Sequence, residues 1–233
     1  IALEQTEKYW ANWVSICKLK GKWGSEIVRS LLTLKSLSYK PTGGIVAAIT
    51  TSLPEYIGGT RNWDYRYCWL RDSYFTVTAL NRLGATRTME SHVRFILNVV
   101  LNAGISPEVP LYPIVPGVDV SEHEAKALAG FRGMGPVRVG NAAVLQRQHD
   151  GYGSIILTAA QMFYDERLPN VGDLDLYRQL RPIGDLAVAA ARRGRRRRGR
   201  AWAGSDGRPS KPRPGRPVKV TRGQVYALIA RST

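Results

Sequence analysis

Apolar residues recur along this chain at helical spacing and nowhere settle into sustained alternation, a pattern that restricts the fold to a mostly α class. Between Leu3 and Cys17, the residues Trp10, Trp13, Val14 and Cys17 follow the i, i+3, i+4, i+7 rule of one helical face. A second helix is expected with Ser25 as N-cap and Ile27, Leu31 and Leu34 on its stripe, ending before the Pro41-Thr42-Gly43-Gly44 turn. Ile45–Ile49 is too short and too close to Gly and Pro for a helix and reads as extended. Further on, Asp72 or Ser73 is expected to cap a helix running to Leu83, with Gly84 as its left-handed stop. Thr88 is expected to cap the next, which buries Val93, Ile96, Leu97, Val100 and Leu101 and ends at Gly104. Ser121 and Glu124 have the spacing of a capping box for a short helix stopping at Gly130. A stretch between Ala142 and Asp165 is helical if Gly151 and Gly153 are tolerated, and Leu174–Ala191 is the last helix the pattern supports.

Charge is distributed unevenly. The net charge is +16, but residues 186–233 hold 14 of the 34 Lys and Arg against 1 of the 18 Asp and Glu, so the excess belongs to the C-terminal end. From Arg192 to Arg216 the chain is rich in Arg, Gly and Pro without apolar periodicity, which reads as a disordered basic arm able to hold nucleic acid or another polyanion. Two cysteines, Cys17 and Cys68, build no disulfide framework and point to a reducing, cytoplasmic compartment. No apolar run approaches the ~18 residues of a membrane span, so no membrane partner is expected. The chain begins at Ile1, inside a helical pattern, so its true N-terminus is expected to lie upstream.

One stretch stands apart in composition. Arg61-Asn62-Trp63-Asp64-Tyr65-Arg66-Tyr67-Cys68-Trp69-Leu70-Arg71-Asp72 packs four aromatics, three arginines and two aspartates into twelve residues. Charges buried beside rings need partners, and two readings account for them equally well. In one, the rings cover the C–H faces of a sugar while Arg and Asp fork onto its hydroxyls. In the other, the stretch is an aromatic cluster with internal Arg–Asp pairs. The proline-rich segment from Ile105 to Val120 is long for an idle loop and is expected to serve function.

Several chemistries are excluded. His92, His123 and His149 are dispersed, and His123-Glu124 does not continue into a zinc-binding helix because position 127 is Ala. Gly133-Met134-Gly135 lacks the third glycine of a dinucleotide loop, and neither a phosphate loop nor a Gly-x-Ser-x-Gly elbow occurs. No cofactor and no metal are expected.

The runs Pro41–Ala48, Thr51-Ser52-Leu53-Pro54-Glu55 and Gly58–Asp72, followed by Pro136–Ala143, Gln146-x-Gln148-x-Asp150 and Tyr152-Gly153, closely resemble bacterial members of glycoside hydrolase family 15. That family contains glucoamylases, glucodextranases and trehalases. The resemblance covers roughly residues 1–190 and implies an incomplete (α/α)6 toroid, beyond which the composition reads as a disordered basic tail. Residues 1–40 would be a helical linker from a β-sandwich domain outside the chain, 41–191 the first part of the catalytic domain, and 192–233 the tail. It further implies that Tyr65 and Trp69 wall a terminal glucose, that Arg71 and Asp72 hydrogen-bond its 4- and 6-hydroxyls, and that Arg138 lies near a second sugar. The implied partner is an α-glucoside or α-glucan, cleaved with inversion by two glutamates about 6.5–9.5 Å apart.

The chain departs from that pattern where the general acid should follow the helix matching Leu174–Ala191. Arg192–Arg200 stands there instead, and no Glu follows Glu166. Both catalytic carboxylates are therefore expected to be missing, and the chain is expected to be inactive. An abrupt Arg/Gly/Pro/Ala run at such a point is what a shifted reading frame of GC-rich DNA would yield. The competing readings are a sugar-binding remnant without catalysis and a polyanion binder acting through its tail.

Overall fold

A computed structural model describes residues 1–17, 21–102, 104 and 106–202, with backbone alone for 101–102 and 193–202. It contains six α-helices: α1 (Ala2–Ser15), α2 (Gly24–Ser36), α3 (Leu70–Arg82), α4 (Thr86–Leu97), α5 (Asp150–Ala160) and α6 (Leu174–Trp202). Two antiparallel pairs of two-residue strands join the loops: β1 (Cys68–Trp69) with β2 (Leu111–Tyr112), and β3 (His123–Glu124) with β4 (Arg138–Val139). The chain divides into two compact units, one spanning Ile1–Val171 and the other beginning at Gly172.

In the first unit α3 is the hub, packing against α2, α4 and α5, while α4 also meets α5. Its inward face carries Leu70, Ser73, Val77, Leu80 and Asn81, the spacing that a buried helical stripe requires. Met89, Val93 and Ile96 of α4 and Ile155, Ala159 and Ala160 of α5 close over it, all but completely buried. Toward α2, Leu80 and Ala85 join Leu31 and Cys17, with Trp13, Ile27 and Leu34 packed around them. Truncating a fully buried Leu such as Leu80 in a core like this costs about 2–5 kcal/mol. α1 buries none of its residues fully, so its apolar face is only partly covered.

A polar staple complements the apolar core. Asn81 Nδ2 donates to Gln161 Oε1 and Asp165 Oδ2, both at 2.8 Å, tying the last turn of α3 to the segment after α5. Arg167 forks onto the same Asp165 carboxylate at 2.8 and 2.6 Å and holds it well below its usual range, at about 2. On α4, the fully buried His92 donates from Nδ1 to the Gly43 carbonyl at 3.0 Å, while its Nε2 has no partner. Burial keeps this imidazole neutral, pushing its pKa down to about 4. Gly43 has φ +83°, and a Cβ there would collide with the Ser91 carbonyl, so the approach of this turn to α4 needs glycine.

The helix starts differ from those expected. α2, α3 and α4 begin after Trp23, Trp69 and Ala85, none of which caps through its side chain, and Ser25, Asp72, Ser73 and Thr88 lie one to three positions inside their helices. The reason for α3 is tertiary: the Trp69 backbone is extended because it pairs with Leu111, and Leu70 N donates to Pro110 O, so the loop supplies what a cap would. Ser121 and Glu124 do not open a helix. His123–Glu124 forms β3 instead, paired His123 to Val139 and Glu124 to Arg138, which draws the chain out straight. The extended reading of Ile45–Ile49 is borne out: Ala47 N and Ala48 N donate to Tyr67 O and Tyr65 O, each at 3.0 Å.

In the second unit Asp173 Oδ1 accepts from Leu176 N at 2.8 Å and caps α6. The helix contains Pro182 and does not stop at Ala191; its backbone stays helical to Trp202, as a run of Arg, a good helix former, permits. The rest of the expected basic arm, 203–233, lies outside the described residues.

Candidate functional site

The stretch from Arg61 to Asp72 divides into two parts with different partners. Its first part is a clasp. Asn62, fully buried, donates from Nδ2 to Met134 O at 3.1 Å and Pro136 O at 3.0 Å. Asp64, also fully buried, receives the Arg66 guanidinium on both oxygens at 2.9 and 2.7 Å and the Gly140 amide at 3.2 Å, while its carbonyl accepts from Asn141 Nδ2 at 2.9 Å. Gly140 has φ +82°, and a Cβ would strike the Ser121 carbonyl, so this close approach depends on glycine. These charges satisfy the internal Arg–Asp reading.

The second part faces a cleft. β1 runs without a break into α3, which sets Trp69, Leu70 and Arg71 beside Pro110, Gln148, Asp150 and Gly151 along a narrow crevice too tight to admit a water molecule. Arg71 is the focus: Nη1 is 3.3 Å from Asp150 Oδ2 and 3.5 Å from Gln148 Oε1, and Nη2 is 3.5 Å from Asp72 Oδ2. About half of each of the Arg71 and Asp72 side chains is exposed, so the forked donor and its neighbouring acceptor remain open to a ligand. A complete small-ligand pocket has ~300–1,000 Å³, so the crevice is not one, and what a ligand can reach is its polar rim.

Among the described residues, Trp69 and Arg71 line this cleft, and Asp72 is held beside them by Arg71. Tyr65 does not line it, but it lies within electrostatic reach of Asp72. Burial first, then the Glu55 and Asp72 carboxylates, raise its phenol above the usual range, with Arg61 opposing, so the hydroxyl stays protonated at neutral pH. Arg138 is occupied elsewhere: Nη1 donates to Thr60 O at 3.0 Å and Asn62 O at 3.4 Å, Nε is 3.4 Å from Glu122, and the guanidinium lies 4.8 Å from the Trp63 ring centroid. Its backbone is bound as well, the amide to Ser52 Oγ at 2.7 Å and the carbonyl to Thr51 Oγ1 at 2.6 Å.

Three residues at the cleft were not expected as site residues: Gln148, Asp150 and, behind them, the buried Glu108. The signals were the Gln-x-Asp spacing and a carboxylate inside the proline-rich segment, which β2 brings against β1. Among the described residues no group of three or more His, Cys, Asp or Glu is placed to hold a metal ion. No described helix is long and apolar enough to cross a membrane.

On this mainly helical scaffold the half-exposed Arg71 and Asp72 leave forked charge at the rim of the crevice beside Trp69. The sequence profile of Glycosyl hydrolases family 15 matches residues 21–188, and the chain belongs to that family. It is 43% identical over 156 residues to a trehalase of Thermoplasma acidophilum, an alignment covering 67% of this chain and 26% of that protein. A trehalase of Mycobacterium tuberculosis is 43% identical over 155 residues, covering 65% of this chain and 23% of the relative. A trehalase of Mycolicibacterium smegmatis is 40% identical with the same coverage. The chain thus spans about a quarter of the length of the curated relatives it matches. No solved structure matches it.

Proposed function

We propose that this chain is the glucose-recognising portion of an α-glucosidic hydrolase, with trehalose as the preferred sugar. The observation that carries the reading is the half-exposed Arg71–Asp72 pair beside Trp69 at the rim of one crevice, and the trehalase relatives support it. A terminal glucose would rest on Trp69 and Tyr65 while Arg71 donates to, and Asp72 accepts from, adjacent hydroxyls. Arg138 would act indirectly, by fixing the loop from Thr60 to Asn62 that precedes the site. On this reading residues 41–191 are the first part of an incomplete (α/α)6 toroid, 1–40 lead into it, and 192–233 form a basic extension whose sequence a shifted reading frame would explain.

Bond cleavage by inversion needs a proton donor and a carboxylate that activates water on the opposite face. At this cleft both Asp72 and Asp150 are engaged by Arg71, and no Glu follows Glu166 in the chain. The 233-residue chain is therefore a binder rather than a catalyst. Calorimetric titration with D-glucose, trehalose and maltose tests this: trehalose and glucose binding without glucose release is the expected result. Glucose release from trehalose by the purified chain would overturn the inactive reading, and absence of sugar binding would overturn the site. Polyanion binding through the basic run is the rival, and it predicts salt-dependent association with nucleic acid that leaves the sugar site out.

A further inference from the structure

Arg71 and Asp150 stand in the first turns of two different helices, α3 and α5, and their meeting requires those turns to be held in register. The segment from Pro107 to Pro110 runs between them. On the α3 side, Leu70 N donates to Pro110 O at 3.3 Å. On the α5 side, Gly151 lies so close to the Pro107 carbonyl that a Cβ would collide with it, and Gln148 N donates to Glu108 O at 2.7 Å. The one carboxylate in this bridge belongs to Glu108, whose side chain is 9% exposed. Its Oε1 accepts from the buried Tyr152 hydroxyl at 3.0 Å and is 3.7 Å from His149 Nδ1, and its Oε2 accepts from Arg147 Nη1 at 3.3 Å. Glu108 thus grips residues 147, 148, 149 and 152, on both sides of Asp150.

We propose that Glu108 is a positioning residue for sugar binding: it clamps the 147–152 segment so that Gln148 and Asp150 hold the half-exposed Arg71 guanidinium at the rim of the crevice. This deepens the sugar-binding reading and rests on it, but the clamp itself is a property of the unliganded protein. A flexible Arg side chain gains by being pre-oriented, because ordering it at the moment of binding subtracts from affinity. Arg147 is 83% exposed, so its pairing with Glu108 contributes little, and the buried Tyr152 bond is the working contact.

The test uses the 233-residue chain with Glu108→Ala and Glu108→Gln, each in the wild-type and Arg71→Ala backgrounds. Glu108→Ala is expected to weaken D-glucose binding about tenfold. Glu108→Gln, which keeps an acceptor for Tyr152, is expected to restore binding to within about twofold. In the Arg71→Ala background neither substitution should change the residual affinity further, whereas a merely structural role would weaken both backgrounds alike, and that outcome overturns the proposal. A second readout needs no sugar: the Arg71 Nε–H signal in ¹H–¹⁵N spectra should lose its rigid-side-chain heteronuclear NOE in Glu108→Ala and keep it in Glu108→Gln, with the backbone amides of α3 and α4 undisturbed. An unchanged Arg71 NOE in Glu108→Ala overturns the clamp. If the wild-type chain binds no glucose the sugar reading fails, and the NOE alone then decides whether Glu108 orders Arg71.

Discussion

Arg71 Nη1 sits 3.3 Å from Asp150 Oδ2, joining residues 79 positions apart in sequence at the rim of a single cleft. Both side chains are close to half exposed, so the pair orients Arg71 more than it stabilises the fold. Replacing Asp150 with Asn is accordingly expected to leave the melting temperature within about 2 °C of wild type, a surface-scale effect. The same variant should lower D-glucose affinity several-fold in a calorimetric titration, since an Asn holds the guanidinium without opposite charge.

The clasp should behave in the opposite way. Asp64→Ala removes a fully buried carboxylate that receives Arg66 and the Gly140 amide, and it leaves that buried amide without its acceptor. We expect a loss of about 2–4 kcal/mol in urea unfolding. Trp69→Ala, at a half-buried position on the cleft, should cost less stability and more sugar affinity. Equal stability losses for the two variants would contradict the division of the stretch.

His92 sets an acid limit of its own. Its folded pKa of about 4 lies below the ordinary 6.5, so the unfolded chain takes up this proton first as the pH falls. The stability it confers is complete above pH 6.5 and declines as the pH drops from 6.5 toward 4, by an amount on the order of 3 kcal/mol. Urea titrations at intervals across that window should show a steeper slope for wild type than for His92→Gln, whose side chain does not titrate.

Asp165 acts in a lower window. With a folded pKa of about 2 against the ordinary 3.8, its contribution is present above pH 3.8 and is lost as the pH falls from there toward 2. Arg167→Ala removes the largest cause of that shift, so it should flatten the pH dependence between 4 and 2 in the same titrations.

Gly43 and Gly140 are expected to resist substitution for a shared reason, a left-handed φ together with a facing carbonyl. Alanine at either should lower the unfolding free energy by more than about 1 kcal/mol, measured by urea denaturation, because it combines backbone strain with a collision.

Much of the fold was legible in local pattern. The stripes of α1, α2 and α4, the stop at Gly84, and the extended segment after Gly44 all follow from spacing and from residues with one conformational use. Helix starts were less legible. Ser25, Asp72, Ser73 and Thr88 carry capping chemistry, yet α3 begins earlier because β2 fixes the Trp69 backbone from 42 positions away. Ser121 and Glu124 have capping-box spacing, but pairing of His123 and Glu124 with Val139 and Arg138 draws the chain into a strand where the helix was expected.

The sequence by itself determined a mostly helical chain, the family it belongs to, and the stretch around which its polar chemistry gathers. What the tertiary structure decided is which charges in that stretch serve the fold and which face the cleft. Asp64 and Asp72 are the same residue type eight positions apart in one aromatic setting. One is sealed by the loop from Met134 to Asn141, while the other is left open beside Arg71 because α5 arrives with Asp150 instead of a cover. That difference resides in long-range partners, which local composition does not encode.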